Sequence, residues 1–245
     1  MPGLLALVFL LAQAGPLAAP ERAASPERVL AAIADRFHSY PPPPFEIYTL
    51  VRRQSAVTGG LDPTNSYVKR VWVRTSDRAA LTRTVDDAVA NGPLSFDRPA
   101  FNEARDPGPP TWDLLAGAES RYKVDSMVAD GNVLDLHLSP VGDPDRNRLR
   151  ELVADRDTYA LRKVVAADKL VIDRGPTYPV TFTITMDSVQ GVPVVTAIHG
   201  VVGGNYNDDG KEVDYTFSSI AFPSALPDWY FDPRSYRQHE RDAPS

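Results

Sequence analysis

Tyr122-Lys-Val-Asp125, Val133-Leu-Asp-Leu-His-Leu-Ser-Pro140, Leu149-Arg-Glu-Leu-Val-Ala-Asp155 and Leu161-Arg-Lys-Val164, running on to Leu170-Val-Ile172, form a series of short segments in which apolar and polar residues alternate. Between them stand Asp130-Gly131, Gly142-Asp-Pro144 and Asp155-Arg-Asp157, residue types that reverse a chain. Period-two alternation broken by tight turns describes consecutive antiparallel strands with one buried face. The stretch reads as the wall of a curved sheet. Nothing in it is patterned like a reaction centre.

The chain has 245 residues, 43% of them hydrophobic, and no linker-like stretch divides the strand series, so one core is expected. A net charge of -6 argues against nucleic acid and against a polybasic grip on anionic headgroups. It leaves open the binding of a lipid's apolar tail. Cysteine is absent, which excludes disulfides, thiolate metal sites, thiol nucleophiles and lipidation on cysteine. Residues 4–12, Leu-Leu-Ala-Leu-Val-Phe-Leu-Leu-Ala, are apolar but shorter than the roughly 20 residues that span a bilayer. With the small residues that follow, they read as a signal peptide within residues 1–19, cut between Ala14 and Ala19. The region before them lacks Lys and Arg, so an uncleaved anchor is the competing reading. Processing predicts an extracytoplasmic chain without a transmembrane anchor.

Outward from the central wall, Ser25-Pro-Glu-Arg28 supplies an N-cap, a proline at the first helical position and an acid in the first turn. Val29, Leu30, Ile33 and Phe37 then fall on one stripe at helical spacing, and Pro41–Pro44 ends the helix in a stiff connector. Strands are expected at residues 45–53, 67–74 and 78–85 before the wall, and at 180–187, 192–202 and 212–220 after it. Residues 86–118 interrupt the rhythm with many prolines, a length of connection that is usually functional or mobile; Trp112-Asp-Leu-Leu-Ala116 within it reads as a short helix. The ending Phe222-Pro-Ser-Ala-Leu-Pro-Asp-Trp-Tyr-Phe231 is aromatic enough to dock on the fold, whereas residues 232–245 are polar and expected to be disordered. The whole is mainly β (α+β), a domain over residues 20–231. About ten strands form a single curved antiparallel sheet, an open half-barrel wrapped around the N-terminal helix and a short helix and loop plug.

Candidate chemistry is thin. His38, His137, His199 and His239 are far apart with no ligand-spaced partner, and His137 and His199 sit on the polar side of strands as structural histidines. Asn205-Tyr-Asn-Asp-Asp-Gly210 has the front of a calcium loop, but Thr216 stands where the closing carboxylate belongs, so a hairpin turn is expected. Asp143, Asp145, Asp155 and Asp157 lie in polar turns, where such carboxylates bond to backbone N–H groups rather than acquire a raised pKa. No serine stands in a nucleophile-elbow frame. No catalytic residue, metal or cofactor is expected. What remains is more apolar surface than one helix covers. Candidate liners of an apolar groove are Trp72, Leu81, Phe96, Trp112, Leu115, Leu134, Leu136, Leu138, Phe182, Ile184, Met186, Tyr215 and Phe217.

Four local patterns, in order, resemble the LolA/LolB-like periplasmic lipoprotein-carrier superfamily. Val71-Trp-Val-Arg74 resembles its early strand, and Leu134-Asp-Leu-His-Leu-Ser-Pro140 its strand before a polar turn. Leu149 to Thr158 with Leu161-Arg-Lys-Val164 resembles its central strand pair. Tyr215-Thr-Phe-Ser-Ser-Ile220 with Leu226-Pro-Asp-Trp-Tyr-Phe231 resembles its closing strand and ending. The sequence departs at Thr75-Ser76, where the superfamily carries Arg-Pro, and only Arg74 fills the preceding basic position. Its D-G-x-x-x-W strand is replaced by the proline-rich stretch 86–118. The resemblance implies a non-enzymatic, exported carrier whose groove takes up a lipid acyl chain or a lipoprotein. The alternative it implies is an envelope sensor that binds a protein partner of the anti-sigma-factor type.

Overall fold

The structure, a computed structural model, describes residues 25–56, 59–62, 65–86, 99–103, 108–109, 114–171, 177–203 and 211–242. The segment expected to be a signal peptide lies outside them, and none of the described helices is long and apolar enough to cross a membrane.

Helix α1 spans Pro26–His38, capped by the Ser25 hydroxyl accepting from the Arg28 amide at 3.4 Å. A helix of this length is marginal by itself. Its stability comes from the stripe Val29, Leu30, Ile33, Ala34 and Phe37, all buried against the sheet. Four strands follow: β1 (Phe45–Gln54), β2 (Tyr67–Arg74), β3 (Ala79–Asp86) and β4 (Ala100–Glu103). After the short helix α2 (Ala118–Arg121) come β5 (Tyr122–Asp130), β6 (Val133–Pro140), β7 (Leu149–Asp155), β8 (Leu161–Val171), β9 (Thr177–Val189), β10 (Val192–Val202) and β11 (Glu212–Ala221). All belong to one antiparallel sheet of order β4-β3-β2-β1-β11-β10-β9-β8-β7-β6-β5. The first and last strands of the series thus meet in the middle, and among the described residues β4 and β5 form the two edges. The sheet does not close; it is the open half-barrel that the alternation predicts. The eleventh strand is β4, inside the stretch that reads as a long connection. At four residues behind Pro99 it is too short to show a period. The helix expected at Trp112–Ala116 appears later: residues 114–117 form a turn and α2 begins at Ala118, while 112 and 113 lie outside the described residues.

Arg121 anchors α2 and edge strand β5 to the β6–β7 connection. Its guanidinium donates to Ala116 O at 3.0 Å, Arg146 O at 2.8 Å and Asn147 Oδ1 at 2.8 Å. Asn147, itself buried, donates on to Val141 O at 2.6 Å.

In the C-terminal tail Asp232 caps helix α3 (Pro233–Gln238), accepting from the Arg234 and Ser235 amides at 3.3 and 3.0 Å. Tyr236 is 2% exposed against Trp72 and Leu81 on the outer face of the sheet. One buried aromatic ring anchors a segment whose other residues are polar, and composition averages that ring away.

Candidate functional site

Two apolar layers lie on opposite faces of the sheet. On the inner face, the α1 stripe packs with Leu115, Leu134, Leu136, Leu138, Ile184, Met186, Tyr215 and Phe217 into one core, each 8% exposed or less. Phe182 borders it, half-buried, with its ring against Gly200. Trp72 and Leu81 are not part of this face. Side chains alternate along a strand, and in β2 it is Val71 and Val73 that enter the inner core; Trp72 points outward to Tyr230 and Tyr236. Leu81 follows it because it is the register partner of Trp72. Phe96 and Trp112 lie outside the described residues. In this structure α1 occupies the trough that the remaining candidates line.

The two ends of the trough differ. At one, Arg52 donates to Gln54 Oε1 at 2.7 Å, with its guanidinium 5.8 Å from the ring of Tyr67 and 5.3 Å from that of Tyr215. Gln54 is 1% exposed and its backbone N–H donates to Ser66 Oγ at 3.0 Å, which gathers polar groups at this end. At the other end a cleft of about 210 Å³ opens between the C-terminal turn of α1 and the β7–β8 and β9–β10 turns. Phe37, Leu161 and Met186, all members of the inner core, form its floor; Arg36, Tyr40, Asp155, Thr158, Arg162 and Asp187 form its rim. At the bulge Val195–Ala197 the Val195 amide donates to Pro109 O at 2.7 Å, and the neighbouring Gly108 lies beside the side chains of Glu46 and Tyr48.

Asp155 shows what the rim does chemically. Its Oδ1 accepts from Thr158 N at 3.0 Å, Thr158 Oγ1 at 2.9 Å and Asp157 N at 3.0 Å, while Oδ2 takes Asn132 Nδ2 at 2.8 Å and the Arg162 guanidinium. The Thr158 amide and hydroxyl, then Arg162 and the Asp157 amide, hold its carboxyl down to about 2. It is an anion at neutral pH and its acceptor capacity is taken up by the turn, so it supplies neither an acid nor a free base. Because the folded pKa is depressed, its contribution to stability is complete above the unfolded value of about 4. That contribution disappears as pH falls through about 2. The chain is expected to lose stability between these limits, and Asp155→Asn to flatten that slope in thermal melts taken across the same pH range.

The other turn carboxylates also serve geometry. Asp143 Oδ1 accepts from Asp145 N at 2.9 Å, and Asp145 pairs with Lys169 at 2.7 Å. His199 sits half-exposed on the outer face with Nδ1 2.7 Å from Asp214 Oδ1. The calcium-like segment 205–210 lies outside the described residues. His137 is brought beside Asp135 and Glu151 on the outer face, a grouping that sequence spacing conceals because Glu151 comes from the next strand.

Compared by sequence, the chain matches no family model and no curated protein. Compared by structure, it is similar to a LolA superfamily protein from Nitrosomonas europaea, at 15% identity and TM-score 0.44 over 85% of this chain and 97% of that one. A DUF1329 family protein from Desulfovibrio piger gives 10% identity and TM-score 0.45 over 86% and 99%. The lipoprotein LppX of Mycobacterium tuberculosis gives 12% and 0.32 over 83% and 100%. The first belongs to the superfamily that the four sequence motifs resemble. Function therefore rests on the site.

Proposed function

We propose that the protein is a non-enzymatic, extracytoplasmic carrier or binding protein that accommodates a lipid acyl chain, free or as part of a lipoprotein, between the sheet and α1. The observation that carries this reading is an unclosed eleven-stranded sheet with a continuous apolar inner face, over which α1 lays its single apolar stripe. A helix held by one stripe can be displaced without breaking any strand pairing. An acyl chain taking its place would gain about 0.8 kcal/mol for each buried CH₂, with no polar registration required. The cleft supports the same reading, because Phe37, Leu161 and Met186 lead from its mouth into the inner core. Its 210 Å³ is less than the roughly 300–1,000 Å³ of ligand pockets, so uptake requires α1 to move.

The test is native mass spectrometry of the protein isolated gently from its own compartment. A series of adducts with the masses of acyl lipids, or of an acylated protein, is the expected result. A mass that corresponds to the bare chain in every preparation, or to a stoichiometric non-acylated protein partner, counts against the carrier and for the sensor.

A further inference from the structure

The outer face of β6 and β7 collects three metal-ligating side chains that the proposed function does not use. Asp135 and His137 stand two positions apart on β6 and so share a face, and Glu151 on β7 lies directly opposite His137 in the register. Each presents a ligand atom within 4.8 Å of the other two. The backbone imposes this nearness, since cross-strand partners hold their Cβ atoms about 4.5–5.5 Å apart. A second observation concerns Asp135 Oδ1. That one oxygen is covered and has no hydrogen-bond partner, although the Asp135 side chain as a whole is 36% exposed, and His137 Nε2 is 3.9 Å away, beyond hydrogen-bond reach. A desolvated carboxylate oxygen facing an imidazole nitrogen is a cost that a shared cation would offset.

We propose that Asp135, His137 and Glu151 form a surface site for a divalent cation of the Zn²⁺ class, completed by water. One imidazole and two carboxylates suit a borderline cation of this kind, whereas Ca²⁺ and Mg²⁺ favour all-oxygen sets. Lys163 on β8 is the competitor: its Nζ lies 2.5 Å from Glu151 Oε1, and an arriving cation must displace it. Glu151 is therefore held by an exchangeable positive charge, and removing that charge frees a ligand.

The experiment is calorimetric titration of Zn²⁺ into the full chain in a non-chelating buffer, on the wild type and on His137→Gln, Asp135→Asn, Lys163→Met and His199→Gln. All the replaced side chains face outward, and circular dichroism checks that each variant is folded. The wild type is expected to bind one equivalent saturably. Binding should weaken by more than about tenfold in H137Q and D135N, at least the loss that removal of an outer partner causes. It should tighten in K163M and stay unchanged in H199Q, whose histidine belongs to the separate Asp214 pair. A wild type without saturable binding, binding indifferent to H137Q, or binding lost in H199Q overturns the proposal.

Discussion

Ile33→Ala is expected to lower the stability of the protein by about 2–5 kcal/mol, the range for truncating a buried branched aliphatic side chain, and to strengthen acyl binding at the same time. Ile33 is fully buried at the centre of the α1 stripe, with Leu30 and Phe37 to either side. The truncation removes contacts between helix and sheet and leaves the sheet's own pairing untouched. A closed interior reduces apparent affinity by the fraction of molecules in which it is open, and a loosened helix raises that fraction. Urea denaturation reads the first effect and titration with an acyl probe reads the second. An Ile33→Ala chain that is destabilised but binds the probe less well would show that α1 builds the site rather than filling it.

Gly200→Ala is expected to destabilise by about 1–3 kcal/mol, the usual cost of overpacking. At an ordinary strand position the same change stabilises, because glycine gives up more backbone freedom on folding. Here β10 brings Gly200 into register with Phe182 on β9 and Val213 on β11. A Cβ would stand 2.5 Å from Phe182 Cε1 and 2.8 Å from Val213 Cγ1, so a ring and a fully buried valine must both yield. The Phe182 ring lies across the gap left by the absent side chain, an aromatic cover that pins the register of the two strands. Phe182→Leu should recover part of the loss in the Gly200→Ala background while costing stability alone. Equal urea midpoints for wild type and Gly200→Ala would refute the packing argument.

These positions also show what the sequence discloses. The strands of the central wall, the capped helix and the antiparallel half-barrel are legible because each rests on a local period or a cap. The faces of β2 and β3 are not. Val71-Trp-Val73 and Ala80-Leu81 are apolar without alternation, so nothing local tells whether Trp72 and Leu81 point in or out. The deciding factor is α3, whose Tyr236 lies far along the chain and covers them from outside. His137 has the opposite history. Its strand assigns it correctly to the polar side, but its nearness to Glu151 depends on the register across the β6–β7 connection. Register is a tertiary property that spacing does not encode.

Titration of the folded protein with an uncharged fluorescent acyl ester, wild type against Met186→Lys, tests the central claim most directly. Met186 is on the floor of the cleft and 7% exposed. A lysine there keeps an apolar stem along the floor and carries its ammonium to the mouth, so the fold survives while the path into the core is blocked. The account predicts saturable binding to the wild type and its loss in a Met186→Lys chain with an unchanged circular dichroism spectrum. No saturable binding to the wild type, or equal binding to both chains, would contradict it.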